Sequence, residues 1–213
     1  MLQRLETGLI RENCYVITDA ATGETAVIDP GSFDERLKKA VGEPAKVKYI
    51  LLTHRHFDHV TGVPGLKAYT GAKVVIHKDD APGLKDEMRR AASSGFQPVG
   101  ADLTVGDGDT LTLGGLSIRV LHTPGHTKGG VCYIIDDVVG SVMFSGDTLF
   151  LNDIGRMDFP DGDWRDMVAS LKKLEELPGD YTVYPGHGPS TTLGFERKNN
   201  RYFGKTNYDD FTH

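Results

Sequence analysis

Four side chains able to bind a metal ion fall within six residues: His54, His56, Asp58 and His59. They follow directly on the apolar run Val47 to Leu52, which reads as a buried strand that delivers them at its C-terminal end. In an extended segment, residues two apart point the same way, so His54 and His56 can share one ion. Asp58 and His59 are adjacent and point apart, which suits a second, neighbouring position. Neutral imidazoles and carboxylates are ligands for Zn, Fe, Mn or Co rather than for Ca or Mg. A lone histidine is most simply read as solvated, but four ligands packed this closely after a buried strand do not fit that reading.

Further donors follow other strand-like runs. After Leu116 to Leu121 comes His122-Thr123-Pro124-Gly125-His126, where the Pro-Gly turn can present His126 as a third ligand for the first ion. His122 sits earlier and is expected to pack or hydrogen-bond beside the site. Asp147 follows Phe144-Ser145-Gly146, and its two carboxylate oxygens can bridge two ions. His187, after Tyr184-Pro185-Gly186, is the natural third ligand for the second ion.

The elements that must position these groups read as follows. Residues 9–19 and 24–29 form two strands around Ala20-Ala21-Thr22-Gly23. A helix follows with Ser32 as N-cap and Glu35 at capping-box spacing, ending at Gly42. Strands are expected at 47–53, 73–76, 103–105, 110–113, 116–121, 130–136, 139–145 and 181–184, and a short helical segment over 60–67. Asp163 caps a helix over 164–177, where Trp164, Met167, Val168, Leu171, Leu174 and Leu177 keep helical spacing. Residues 78–101 carry no strand pattern, with a helix plausible over 84–92, and read as a lid over the site or a surface loop. Past residue 203 the tail is polar and expected to lie extended on the surface or to be partly disordered. Strands grouped between helices suggest two packed sheets with helices outside. There is also a trace of duplication: Cys14-Tyr15-Val16-Ile17 matches Cys132-Tyr133-Ile134-Ile135, Asp29 then falls on Asp147, and Tyr49 and Tyr181 open strands that run to His54 and His187.

Composition narrows the function. The 213 residues suit a single domain over 1–213, and the net charge of -6 disfavours nucleic acid as a partner. No apolar run is long enough for a membrane span, and Met1-Leu2-Gln3-Arg4-Leu5-Glu6 lacks the apolar stretch of a signal peptide. Cys14 and Cys132 lie in apolar runs and read as buried, reduced cysteines of a cytoplasmic protein.

The series His54-x-His56-x-Asp58-His59, His126, Asp147, His187 resembles the metallo-β-lactamase superfamily over nearly the whole chain. The resemblance implies an α/β fold, a four-layer αββα sandwich, with His54, His56 and His126 on one metal, Asp58, His59 and His187 on the other, and Asp147 bridging. Two divalent ions are expected, zinc first, with iron or manganese as alternatives. Ser145 to Phe150, followed by Gly155-Arg156-Met157-Asp158-Phe159-Pro160, is similar to the glyoxalase II (hydroxyacylglutathione hydrolase) group, closest to its short bacterial members. Two departures bear on glutathione as the thiol. Only about 25 residues follow His187, too few for the long members' C-terminal helical domain, and Pro189-Ser190-Thr191 stands where those members carry a Tyr. Flavodiiron proteins, with Glu at the second histidine, fit less well. So do β-lactamases with a Cys ligand and RNA phosphodiesterases, which want a basic surface.

The implied chemistry is hydrolysis of a small-molecule thioester, S-lactoylglutathione or similar, by a hydroxide that the two cations make available near neutral pH. A thiolate leaves without much help from an acid. Asp58 can orient the attacking group and Asp147 is expected at the reaction centre. Arg156 meets the substrate or forms a structural ion pair, and Lys128 meets an acidic substrate or is simply solvated. Two other functions stay open. One is a persulfide dioxygenase with a single iron at His54, His56 or His126, and Asp147; the other is a metal-binding module without catalysis.

Overall fold

The computed structural model describes residues 1–90, 97–136 and 140–206. The first half builds one six-stranded sheet from β1 (Leu2–Thr7), β2 (Glu12–Thr18), β3 (Thr25–Ile28), β4 (Val47–Leu51), β5 (Lys73–His77) and β6 (Leu103–Val105), in that order across the sheet. The second half builds another from β7 (Thr110–Leu113), β8 (Leu116–His122), β9 (Val131–Ile135), β10 (Val142–Gly146), β13 (Thr182–Pro185) and β14 (Thr191–Thr192), ordered β14-β13-β10-β9-β8-β7. Between β10 and β13 stands a small hairpin of β11 (Leu149–Phe150) and β12 (Asp153–Ile154).

Strand alternation sorts the core into three apolar layers. Tyr15 and Ile17 of β2 face Ile118, Val120, Tyr133 and Phe144 between the sheets. Their neighbours Cys14 and Val16 face the other way, onto Leu37 and Val41 of α1 (Glu35–Val41), Val63 and Leu66 of α3 (Val63–Thr70), and Leu84 and Met88 of α4 (Leu84–Arg90). Cys132, Ile134, Met143 and Val183 face the far side, onto Met167, Leu171 and Leu174 of α5 (Trp164–Glu176) and Leu193 of α6 (Leu193–Asn199). The result is the expected αββα sandwich. Strands buried on both faces explain why β2, β4 and β9 read as nearly continuous apolar runs. Both cysteines are free and buried. No helix among the described residues is long and apolar enough to cross a membrane.

The repeated sequence pattern is a repeated topology. β2 and β3 form an antiparallel pair, and β4 joins β3 in parallel after α1. β9 and β10 form an antiparallel pair, and β13 joins β10 in parallel after α5. Each crossover brings two strands' C-terminal ends together at one edge, so Asp29, His54, Asp147 and His187 arrive there from four different strands.

Several local expectations need correcting. α1 is capped by Asp34, not Ser32: its carboxylate accepts from the backbone N–H of Arg36 and Leu37, each at 3.0 Å. Asp34 sits immediately before the first helical residue and reaches both free amides, whereas Ser32 lies two residues too early. The first strand is β1, and the run expected over 9–19 divides into a turn and β2. β1 escapes a periodicity search because it is an edge strand with mostly exposed side chains. α6 is also additional, with Thr192 capping the Phe195 amide at 3.1 Å. α4 packs Leu84 and Met88 into the apolar layer shared with Cys14 and Val16, which anchors the described part of the 78–101 segment in the core. Residues 91–92 of the helix expected there, residue 139 of the strand expected over 139–145, and residues 207–213 of the tail lie outside the described residues.

Candidate metal centre

Every expected ligand reaches one spot at the shared sheet edge. His54 follows β4 in the connection to the single turn α2 (Phe57–Val60), which carries Asp58 and His59 on a tight bend. One donor atom from each of His54, His56 and His126 lies within 4.8 Å of the others, and the same holds for Asp58, His59 and His187. Asp147 lies between the two groups. Its Oδ1 is 3.4 Å from His59 Nε2, and its Oδ2 is 3.5 Å from His126 Nε2 and 3.8 Å from His187 Nε2. His187 Nε2 is 3.1 Å from Asp58 Oδ2, and His56 Nδ1 is 2.8 Å from His126 Nε2.

The surrounding hydrogen bonds decide which ring nitrogens face inward. Thr53 Oγ1 donates its one proton to Asp29 Oδ2 at 2.5 Å, so toward His54 Nδ1, at 3.1 Å, it can only accept. His59 Nδ1 donates to the same Asp29 oxygen at 3.0 Å, and His126 Nδ1 donates to the Arg156 carbonyl at 2.7 Å. All three rings therefore present a bare Nε2 to the centre, the arrangement by which an outer partner fixes the tautomer of a ligating histidine. His54 Nε2, His59 Nε2 and Asp147 Oδ1 are buried without any hydrogen-bond partner. Orphaned buried acceptors are costly unless a cation satisfies them, so this donor set fits bound metal.

Electrostatics points the same way. Burial, reinforced by the neighbouring His126 and His59, lowers His56 to a pKa of about 3. Burial likewise holds His54 well below the ordinary imidazole range. Both rings are neutral, as ligands must be. Burial pushes the Asp58 carboxyl up, but hydrogen bonds from His187 and His59 outweigh it and hold the group ionised. Burial disfavours charge on His59, yet Asp147, Asp29 and Asp58 around it raise its pKa.

Three supporting residues were not singled out from the sequence. Asp29, with φ of 49°, accepts from the Thr53 amide at 2.8 Å as well as from Thr53 Oγ1 and His59, and so orients both halves of the ligand cluster. The duplication pairs Asp29 with Asp147, but only Asp147 faces the metal position. Asp80 is fully buried at the start of the 78–101 segment. It accepts from the Arg55 amide at 3.1 Å, Thr127 Oγ1 at 2.8 Å and the Gly129 amide at 2.8 Å, tying the His56 loop to the His126 loop. Arg55 in turn pairs with Asp161. Glu12 is buried beside the His59–Asp29 pair, where desolvation pushes its carboxyl well up. The available signal was position alone: Asp29, like Asp147, closes a strand with a turn.

The two residues expected to meet substrate sit differently. Arg156 forms a two-pronged ion pair with Asp158 (2.6 and 2.5 Å) and lies over the Phe159 ring, 4.3 Å from its centroid. Its carbonyl, not its guanidinium, holds His126. Phe159 then stands 5.1 Å from the His56 ring, forming a wall of the site. Lys128 is exposed, and its carbonyl faces His122 at 2.9 Å rather than the donor cluster.

The chain belongs to the metallo-beta-lactamase superfamily, whose profile matches residues 7–187. It is 35% identical over 199 residues to a hydroxyacylglutathione hydrolase, GloC, of Haemophilus influenzae, covering 90% of this chain and 92% of that one. Among solved structures it is similar to the B3 metallo-beta-lactamase BLEG-1, with a TM-score of 0.84, 32% identity, and coverage of 96% of this chain and 100% of that one. It is also similar to TTHA1623 in a di-iron-bound form, with a TM-score of 0.78, 35% identity, and coverage of 94% and 99%. The superfamily, and some of the chain's relatives, are metal-dependent hydrolases.

Proposed function

We propose that this protein is a binuclear metallohydrolase acting on a small-molecule thioester. The observation that carries the proposal is the pair of donor groups, His54/His56/His126 and Asp58/His59/His187, with the Asp147 carboxylate between them. A single-iron dioxygenase would leave the second group without a task. The likeness to a hydroxyacylglutathione hydrolase supports the thioester class, and the likeness to a di-iron form of a relative supports two ions, zinc or iron.

Bound divalent ions supply Lewis acidity and acidify water. The chain's own groups do the rest. The His54, His59 and His126 rings are aimed by Thr53, Asp29 and the Arg156 carbonyl, and burial keeps His54 and His56 neutral. Asp58 stays ionised and is placed to orient an attacking water. The acids and imidazoles at the centre are committed as donors to the metal positions. That leaves no ready proton for a poor leaving group, but a thiolate, with a conjugate-acid pKa of about 8.5, needs little help. Phe57 and Phe159 beside His56, and Leu9 and Ile10 at the β1–β2 turn, are exposed apolar side chains that an acyl or thiol group can cover.

A second reading, β-lactam hydrolysis, is favoured by the likeness to BLEG-1. It asks for protonation of a departing amide nitrogen, which this donor set does not offer directly. The test is elemental analysis of the purified protein together with kcat/KM for S-lactoylglutathione, simpler acyl thioesters and nitrocefin. About two ions per chain and a clear preference for a thioester are expected. Protein carrying two ions that turns over nitrocefin but no thioester would overturn the assignment, as would one iron per chain with oxygen consumed on a persulfide.

A further inference from the structure

A different cluster lies at the ends of β5 and β8 and shares no residue with the centre above. His77 closes β5 and His122 closes β8. Their rings stack with centroids 4.0 Å apart and planes 12° apart. Asp79 Oδ2 lies 3.5 Å from His77 Nδ1, and one donor atom from each of the three residues lies within 4.8 Å of the others.

The positions of the protons make this cluster more than a stacked pair. His122 Nε2 is 2.9 Å from the Lys128 carbonyl, which can only accept, so Nε2 carries the hydrogen and Nδ1 is bare. The Asp79 amide donates to His77 Nδ1 at 3.3 Å, so that nitrogen also presents a lone pair. The 3.5 Å approach of the Asp79 carboxylate brings a second acceptor beside a lone pair engaged only by that long amide contact, which an ion would displace. A cation between them makes the contact favourable. With metal–nitrogen and metal–oxygen bonds of about 2.0–2.2 Å, neighbouring ligand atoms of a tetrahedral ion stand about 3.3–3.5 Å apart, close to the separation found.

We propose that His77, Asp79 and His122 form a further binding site for one divalent first-row transition ion, independent of the His54–His187 centre. Two imidazoles and one carboxylate select Zn, Co, Ni or Cu over Ca and Mg. The buried His77 is the fixed member. The parallel rings aim their lone pairs side by side, so His122, which is partly exposed, must turn and give up its Nε2 bond to the Lys128 carbonyl to bring Nδ1 onto the ion. Asp79, with its side chain 49% exposed, supplies the remaining adjustment, and water completes the coordination. An ion there joins the first residues of the 78–101 segment to the end of β8. It thereby braces Asp80, the next residue, which ties the His56 and His126 loops together.

The experiment uses the full chain with its main centre loaded, equilibrated by dialysis against rising free Co²⁺ or Zn²⁺ into the high micromolar range. Metal per chain is measured for the wild type, Asp79→Asn and His122→Gln. Both substituted side chains reach solvent, so folding is preserved. The wild type should take up one equivalent more than either variant, and a cobalt-loaded crystal should show anomalous scattering between His77 and His122. Equal stoichiometry in all three proteins would overturn the proposal. So would loss of more than one equivalent in either variant, because the residues would then serve the main centre.

Discussion

Asp29 makes the sharpest test of how the site is organised, because it touches no expected metal position yet fixes two ligands. Consider Asp29→Asn. One side-chain oxygen can still accept from the Thr53 amide, but an NH₂ group then occupies the place of Oδ2. It faces two donors, Thr53 Oγ1 at 2.5 Å and His59 Nδ1 at 3.0 Å. Each bond to the charged oxygen is worth roughly 1.5–3 kcal/mol, so about 3–6 kcal/mol of gross interaction is lost. Much of it is recovered if His59 moves its proton to Nε2 and accepts from the amide. That tautomer blocks the ligand atom, so the loss is transferred to metal binding. Removing such an outer partner costs about 10–100-fold in metal affinity. The expectation is a 10–100-fold weaker affinity for the ion held by Asp58, His59 and His187, with a smaller loss at His54, which is reached only through Thr53. Competition with a chromophoric chelator, read against metal analysis, measures both. If Asp29→Asn binds both ions within twofold of the wild type, the tautomer argument is wrong.

Other consequences follow from particular contacts. Gly186→Ala would bring a methyl group to 2.2 Å from Asp147 Oδ1 and 2.7 Å from His59 Cε1, so at least one ion should be lost while circular dichroism stays native; unchanged metal content would count against the assigned geometry. Leu174→Ala, at a fully buried position of α5, should cost about 2–5 kcal/mol in urea unfolding and leave the metal stoichiometry unchanged. The metal-free protein should lose stability as pH falls from about 6.5 toward 3. Buried His56 stays neutral down to about 3 when folded, whereas the unfolded chain takes up its proton near 6.5. His54 shifts in the same direction. The raised pKa of His59 acts oppositely, but its contribution is complete once pH is below the unfolded value. A urea midpoint that holds steady between pH 7 and 5 in the presence of a chelator would contradict this.

The sequence by itself determined which side chains are able to hold a metal ion. Ligand type is a property of the residue, and each of His54, His56, Asp58, His59, His126, Asp147 and His187 stands just past a strand with a legible apolar run. α5 was equally plain, since Asp163 and an apolar stripe act within a few residues of each other. Tertiary structure decided what depends on partners far along the chain. Asp29 reads as a turn residue until Thr53 and His59 are brought to it. Arg156 reads equally as a substrate contact or a structural ion pair until Asp158 and Phe159 fold around its guanidinium and its carbonyl meets His126. Asp80 gains its role only when Arg55, Thr127 and Gly129 enclose it, and His77 meets His122 only because β5 and β8 end at the same edge. The direction of a lone pair is set by whatever lies on the other side of the ring, and for His59 and His126 that group is 30 residues away.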